Sequence, residues 1–451
     1  MKSKINRYPL VLALLLLTVT VSAQTELSLD KALEYALLHN ENVLNAELLK
    51  TDADAQVYET RADGLPQITA GFNYTNNLFI AKSPIPTSFI TGDPNAEGVT
   101  LVAFGAQHVG NLSINAEQML WDGSFFIGLK AAKVLRDKVI IDKFKAEIDV
   151  IENVTKAYYL VLVNQTRIDL IESNIATLDS TLFETRKLYE NGFAEKIDVS
   201  RLQVQMNNLK AEKSGVVQAV KTSKDLLKLS MGMPVQDEIL LTDRLEALNF
   251  GYDSNEIENF SLRSRVEVQQ LDYLKNLAEL QIKNTTSQYI PKVSFNAGWG
   301  RNTGSNEFSN FFTGTNWFSN SAIGLNVSIP VFDGLRKKYT IQRNRIELET
   351  LNNQYNLLTN SLQNELITSK NNLDVSLEQL EVQKANMELA QEVSGITREK
   401  YKAGVGSNIE VINAEKDYKE AEINYLTALY NAIIAKVDLD KSLGKLKNND
   451  N

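Results

Sequence analysis

The sequence predicts a mainly α-helical chain that carries four β-strands and is built as an internal duplication. Three observations lead there. First, the stretch Lys187-Leu-Tyr-Glu-Asn-Gly-Phe-Ala-Glu-Lys-Ile-Asp-Val199 returns downstream as Glu399-Lys-Tyr-Lys-Ala-Gly-Val-Gly-Ser-Asn-Ile-Glu-Val411. Tyr189, Gly192, Ile197, Asp198 and Val199 each precede Tyr401, Gly404, Ile409, Glu410 and Val411 by the same 212 residues. In both copies a long periodic segment runs into a glycine, turns and runs back out, which marks the tip of a helical hairpin. Second, prolines are absent from 95–233 and from 331–451, leaving room for very long helices. Third, four short segments ahead of the long helices alternate apolar and polar residues with the two-residue period of a strand.

Taken in order, the first 23 residues read as an export signal. Lys2, Lys4 and Arg7 precede the apolar run Leu10 to Val19, and Val21-Ser22-Ala23 has the small residues of a cleavage site. Removing this segment shifts the formal net charge from −9 to −12, so nucleic acid is not an expected partner. The absence of cysteine rules out disulfides, thiolate metal sites, thiol nucleophiles and a lipid anchor on cysteine. No later window offers the ~18 uninterrupted apolar residues of a transmembrane helix.

Ser28 opens a helix with Leu29, Leu33, Ala36 and Leu37 on one face, broken at His39-Asn40-Glu41-Asn42. A second helix runs to about Asp63, where Gly64 and Pro66 stop it. Strands follow, with apolar positions Ile68, Ala70, Phe72 and Tyr74, and then Leu112, Ile114 and Ala116, separated by a loop of roughly thirty residues. The pattern returns at Val293, Phe295, Ala297 and Trp299, and at Ile323, Leu325, Val327, Ile329 and Val331. The opposite faces are small and polar. Two architectures fit such strands: a soluble four-stranded sheet packed on a helix, or one part of a transmembrane β-barrel with a lipid-facing and a lumen-facing side. Trp121, Trp299 and Phe332 are expected near strand ends, where an aromatic girdle would lie. Four strands cannot close a barrel and open edges are not tolerated in hydrocarbon, so the barrel reading requires three or more protomers.

Asp122-Gly123 and Asp333-Gly334 follow the strand pairs and are expected to cap long helices over about 124–190 and 335–402. At 1.5 Å per residue each spans roughly 100 Å. Val154, Val161, Ile168, Ile175, Leu182 and Tyr189 recur every seven residues as a coiled-coil seam. Leu351, Leu358, Leu366, Leu373, Leu380 and Met387 recur at a slightly longer mean spacing, which predicts weaker supercoiling. Return helices start near Glu195 and Ser407. The expected organisation is a signal segment 1–23, a first repeat 24–234 with its strand pair over 65–120 and tip near 192, a connector 235–262, a second repeat 263–446 with its strand pair over 291–332 and tip near 404, and a tail 447–451.

With only His39 and His108 and no cysteine, little material exists for a catalytic triad or a zinc or copper site, and both histidines are expected at solvated surface positions. The carboxylates lie at the spacing of solvated helix faces. No enzyme, no cofactor and no metal site is expected.

The duplication, the Asp-Gly after each strand pair and the Gly-x5-Asp/Glu-Val tips together resemble the TolC-like outer membrane efflux proteins, the outer membrane factors of Gram-negative export systems. The resemblance implies a homotrimer whose four strands per chain form a 12-stranded barrel in outer membrane lipid, continued by a long periplasmic α-helical barrel. It implies a passive exit duct for tripartite efflux or type I secretion, coupled through a periplasmic adaptor (membrane fusion protein) to an inner membrane pump of RND or ABC type. Within it, Gly192, Phe193, Gly404 and Val405 take the place of adaptor-docking tips, Glu410 and Asn413 that of the channel constriction, and Asp198 supports the tip. Gly406 stands where a well-known member carries arginine, and Asn413 where it carries aspartate, so the implied gate is less acidic and lacks an identical salt-bridge latch. The rival from another class is a periplasmic coiled-coil scaffold without a membrane barrel.

Overall fold

Where the chain lacks proline it forms uninterrupted helices, as expected for backbone whose every amide can join the i→i−4 ladder. The computed structural model describes residues 25–245, 250–252, 257, 260–312 and 317–447. The signal segment and residues 448–451 of the tail lie outside the described residues, as do parts of the connector. In chain order the elements are β1 (Thr25–Leu27), α1 (Leu29–His39), α2 (Glu41–Ala62), β2 (Gln67–Asn76), β3 (Lys82–Pro86), α3 (Thr87–Thr91), β4 (Val99–Ala103), β5 (His108–Trp121), α4 (Gly123–Glu190) and α5 (Lys196–Met231). They continue with β6 (Ile239–Leu241), α6 (Val266–Ser287), β7 (Lys292–Ser305), β8 (Trp317–Ser328), α7 (Arg336–Lys402) and α8 (Asn408–Ser442). Short 3-10 turns cover Leu262–Ser264 and Phe308–Phe312. Among the described residues no helix is long and apolar enough to cross a membrane.

The chain divides into two compact units. The helical unit holds residues up to Lys50, 139–271 and 354–451. Its main core joins α1, α4 and the end of α5 to a two-stranded parallel sheet in which β1 pairs with β6. Tyr158 is fully buried there, its hydroxyl 2.9 Å from both the Leu27 carbonyl and the Asp243 carboxylate, and burial together with that carboxylate pushes its pKa up. Asp243 also accepts the Leu29 amide at 2.8 Å, so one carboxylate fastens the first helix to the body of the unit. Helix α1 starts as the sequence suggests, with the Ser28 hydroxyl accepting the Lys31 amide. A further core joins Leu366 and Leu373 of α7 to Ala435 and Leu439 of α8, and Tyr252, Ile257 and Phe260 of the connector pack on it. Arg265 is 4% exposed and reaches Glu267 at 3.0 Å, Glu365 at 3.4 Å and the Ser442 carbonyl at 2.9 Å, binding the start of α6 to α7 and α8.

The seven-residue seam of α4 holds at its start and drifts toward its end. Val154, Val161 and Leu182 are buried, but Ile168 and Ile175 are half-buried and Tyr189 is exposed. Ile171, Leu178 and Thr185 take the buried positions instead. In a straight helix seven residues fall ~20° short of two full turns, so the buried stripe passes to neighbouring positions over several heptads.

The strand-bearing unit holds 51–138 and 272–353. Its centre is a four-stranded antiparallel sheet in the order β2-β5-β7-β8. The register places Ala70, Ile114, Trp299 and Ser321 in one row and Gly71, Ser113, Gly300 and Asn320 in the next, so alternate residues form one largely apolar and one small, polar face. Asp122 acts as expected at the start of α4, accepting the Ser124 amide at 2.8 Å and pairing with Lys292 at 2.6 Å. Asp333 accepts the Lys337 amide at 3.1 Å.

Four details differ from the sequence reading. The thirty-residue loop between the first two strands contains the hairpin β3–β4, joined through α3, because Pro84 and Pro86 are compatible with an edge strand although they break strand periodicity. Trp299 lies in the middle of β7, not near a strand end, since β7 continues through the polar stretch to Ser305. Strand β8 spans Trp317–Ser328, so Ile329 and Val331 fall beyond it, next to Pro330, which removes a ladder donor. His108 is buried rather than solvated: its Nδ1 lies 2.8 Å from the Tyr74 hydroxyl and Phe308 packs edge-on at 5.5 Å. His39 is exposed, stacked on Tyr35 at 4.0 Å.

Candidate functional site

The two duplicated turns lie in the helical unit and share one hydrogen-bond pattern. The Gly192 amide donates to the Tyr189 carbonyl at 3.0 Å and the Phe193 amide to the Leu188 carbonyl at 2.8 Å. Gly404 donates to Tyr401 at 3.0 Å and Val405 to Lys400 at 3.1 Å. Each is a Schellman turn with its glycine in the left-handed region, at φ 80° for Gly192 and 76° for Gly404. Nothing stands within 4 Å of a Cβ built on either glycine, so backbone angle rather than space demands them. The next residues project: Phe193 is 82% and Val405 79% exposed.

Beyond the turns, α5 and α8 start in related ways. Asp198, in the first turn of α5, accepts the Glu195 amide at 3.3 Å, a structural contact at the tip. In α8 the Ser407 hydroxyl accepts the Glu410 amide at 3.3 Å, so the cap is a serine and the Glu410 carboxylate is left unengaged by it. Glu410 and Asn413 are exposed, one turn apart on α8.

The cores behind the two turns differ. Behind the first, Leu178 and Leu182 of α4 meet Leu202, Met206 and Leu209 of α5. Behind the second, polar groups share the inner side with the buried Val411, Ala414 and Ala421 of α8. Arg398 pairs with Glu415, which also accepts the Ser394 hydroxyl at 3.0 Å. Glu422 is buried and accepts from Asn174 at 2.8 Å. Asn408 is 5% exposed and both its side-chain polar atoms lack a partner among the described residues. The hairpins are bridged near the turns by the Thr185 and Tyr401 hydroxyls at 3.1 Å and by Lys402 and Glu184 at 3.9 Å. These bridges join residues far apart in sequence and no local motif announces them; only Tyr401's place in the duplicated stretch pointed toward the region.

In the strand-bearing unit most of the apolar face is uncovered among the described residues, with Ile68, Phe72, Ile323 and Leu325 all well exposed. The other face is lined by Thr69, Gly71, Asn73, Ser113, Asn115, Glu117, Asn296 and Asn320, and Asn111 donates to Asn302 across it at 2.5 Å. Among the described residues strand β2 pairs only with β5 and β8 only with β7, so no described strand covers either edge of the sheet.

Residues 261–445 match the family model described as outer membrane efflux protein. Among curated relatives, the outer membrane protein TolC of Vibrio cholerae is 20% identical over 342 residues, covering 75% of this chain and 77% of the relative. The TolC of Escherichia coli is 20% identical over 423 residues, covering 90% of this chain and 81% of the relative. Over residues 261–445 the chain is similar to the outer membrane efflux protein family. Its fold agrees: the crystal structure of VceC from Vibrio cholerae superposes with a TM-score of 0.69 at 17% identity, over 92% of this chain and 96% of that one. The CmeC channel of Campylobacter jejuni superposes with a TM-score of 0.71 at 14% identity, over 94% and 87%. The fold of this chain is that of the outer membrane channels it superposes on.

Proposed function

We propose that the protein works as a homotrimeric exit duct: three four-stranded sheets closing a 12-stranded barrel in outer membrane lipid, with the long helices forming a periplasmic conduit. The observation that carries this reading is the four-stranded sheet itself, with a mostly uncovered apolar face, a small polar face and two edges that no described strand covers. Such a sheet satisfies its edge amides and its apolar face together when copies of it close around a polar lumen in a bilayer. The helices support the same stoichiometry. Val375, Val382, Leu389 and Ile396 of α7 recur every seven residues and all remain about half exposed or more, a coiled-coil seam left uncovered by the described residues.

The repeats 24–234 and 263–446 each supply one strand pair and one hairpin, joined by the connector 235–262. Gly192, Phe193, Gly404 and Val405 form the adaptor-docking tips, where a rigid turn presents one exposed apolar side chain per hairpin. Asp198 supports the first tip. Glu410, whose carboxylate takes no part in the helix cap, and Asn413 line the constriction, where three carboxylates brought together around a symmetry axis would attract cations. The partners are a periplasmic adaptor and an inner membrane pump, which supplies the energy. Relatives in Pseudomonas putida are named as efflux pump outer membrane components, one of them an antibiotic efflux protein, and the aligned segment spans 61% of their length.

Two measurements test this. Extraction of the protein should require detergent and yield a mass of three chains; recovery as a soluble monomer would exclude the duct. In planar bilayers Glu410→Ala should lower cation preference and relieve block by divalent cations, with single-channel current changed by a factor of about two or more. Unchanged current and block would remove Glu410 from the constriction.

A further inference from the structure

The apolar face of the four-stranded sheet carries one formally charged side chain. Register places Phe72, Leu112, Arg301 and Ser319 in a single row across β2, β5, β7 and β8. Arg301 forms no ion pair among the described residues. Its Nη2 makes a long hydrogen bond to the Trp317 carbonyl at 3.4 Å, and its Nε is buried without an acceptor among the described residues. The next row is Tyr74, Gly110, Thr303 and Trp317. Thr303 is 3% exposed and its hydroxyl has no partner either. Polar hydrogen-bonding capacity is thus left unmet in one corner of a face that otherwise presents hydrocarbon.

That corner is framed by aromatic rings. The 3-10 turn Phe308–Phe312 folds onto the face, and the Phe311 ring centre lies 5.2 Å from Tyr74, 5.5 Å from Trp317 and 6.4 Å from Phe72. Gly110 makes the room: a Cβ there would stand 2.6 Å from the Phe311 ring. Arg301 lies eight residues along β7 from Val293, near the opposite end of the apolar stripe. At ~3.3 Å per residue and a tilt of ~40° this is about 20 Å along a membrane normal, close to the edge of a ~25 Å apolar band, where aromatic girdles meet headgroups.

An arginine at that depth lacks water on one side and needs an anion or a snorkelling path on the other. Its planar fork matches the paired oxygens of a phosphate, and desolvation by neighbouring rings strengthens the contact. We propose that Arg301 is a lipid-binding residue, holding the phosphate group of an outer-leaflet lipid against the Phe72–Tyr74–Phe311–Trp317 ring cluster. This rests on the outer membrane reading and adds to it a ligand on the outward face, away from the duct.

The test is retention of lipid by the purified protein in neutral detergent, read by native mass spectrometry. The probes are a diphosphorylated glycolipid, phosphatidylcholine and inorganic phosphate, offered to wild type, Arg301→Lys and Arg301→Gln. Wild type should retain the phosphomonoester lipid, Arg301→Gln should retain it about tenfold less, and Arg301→Lys, which keeps the charge but loses the fork, should fall between. Phosphatidylcholine retention should not depend on the variant. Equal retention of the glycolipid by wild type and Arg301→Gln would overturn the proposal, as would displacement of the lipid by millimolar inorganic phosphate, which would mark a free-anion site. Should Arg301→Gln fail to fold, equality of wild type and Arg301→Lys would overturn it as well. Recovery of wild type without detergent would overturn the outer membrane reading, and this proposal with it, whereas loss of the lipid difference alone leaves the duct intact.

Discussion

Glycine is required at Gly192 and Gly404 by a positive φ in open space, and that separates these positions from glycines tolerated inside helices. Gly395 lies within α7 with nothing near a built Cβ and no positive φ. Gly404→Ala should therefore destabilise the protein by about 1 kcal/mol, the cost of forcing an L-residue into the left-handed region. Gly395→Ala should stabilise it by about 0.5–1 kcal/mol, through lost unfolded-state entropy. Opposite shifts in thermal midpoint are the expected result, and a fall of equal size in both would contradict the turn geometry. A second residue-scale prediction concerns Glu152 of α4, which accepts from Lys156 at 2.7 Å and from Lys441 of α8 at 2.6 Å. Burial raises its pKa, but the two lysines outweigh it and the net position is below the usual glutamate value, while Lys441 is raised. A carboxylate whose folded pKa is depressed contributes stability above its unfolded pKa of ~4.5 and loses it as pH falls through the folded value. The raised lysine contributes below ~10.5 and loses its share as pH climbs through its folded value. Glu152→Gln should cost about 1.5 kcal/mol at pH 7, because Lys441 keeps only Asp149 at 3.9 Å while Lys156 retains Asp438 at 2.6 Å, and should shrink the acid limb of a stability–pH profile recorded from pH 7 to 3. An unchanged acid limb would show that the pair is solvated.

At the scale of elements, the aromatic turn Phe308–Phe312 closes one end of the sheet because β5 offers Gly110 beneath it. Gly110→Val should displace Phe311, free the Tyr74 and Trp317 rings it packs against, and raise quenching of Trp317 fluorescence by a soluble quencher about twofold or more, with strand content by circular dichroism unchanged. Unaltered quenching would mean the turn does not depend on that contact. The long helices, their glycine turns and the strand alternation were legible in the sequence, because each is set by local rules: proline exclusion, a left-handed cap and a two-residue period. The duplication is in fact more complete than the tips alone reveal, since Gly232 and Gly444, again 212 residues apart, end α5 and α8 with positive φ and the same paired amide contacts. What escaped is non-local. The β3–β4 hairpin is hidden by its prolines, and the burial of His108 depends on a turn two hundred residues away. The Thr185–Tyr401 bridge joins the two repeats, so neither copy contains it. Asn408 looks like an ordinary first-turn residue until packing buries it without a partner.

For the whole molecule, one geometrical fact governs assembly: each chain offers one β2 edge and one β8 edge, and no described strand covers either. Joining β2 of one copy to β8 of the next is a head-to-tail contact, which ends in a ring if the rotation closes and in an open chain if it does not. Sheet twist and the 35–45° tilt of membrane strands favour closure, and twelve strands leave a lumen that eight would fill with side chains. The chain has no cysteine, so an introduced pair reports only on itself. Neighbouring antiparallel strands hold facing Cα atoms about 4.5–5.5 Å apart, within the reach of a disulfide. Thr69→Cys on the polar face of β2, combined in turn with Asn320→Cys, Ala322→Cys and Gly324→Cys on the same face of β8, samples the register in two-residue steps. These two strands are the outermost of the sheet, so a bond between them within one chain is blocked by β5 and β7. One of the three pairs should therefore give a covalent species of three chains on a non-reducing gel, collapsing to one chain on reduction, with nothing larger. A ladder of four and more chains would indicate an open filament, dimers alone would indicate a two-fold contact elsewhere, and single chains from all three pairs would remove the edge-to-edge barrel altogether.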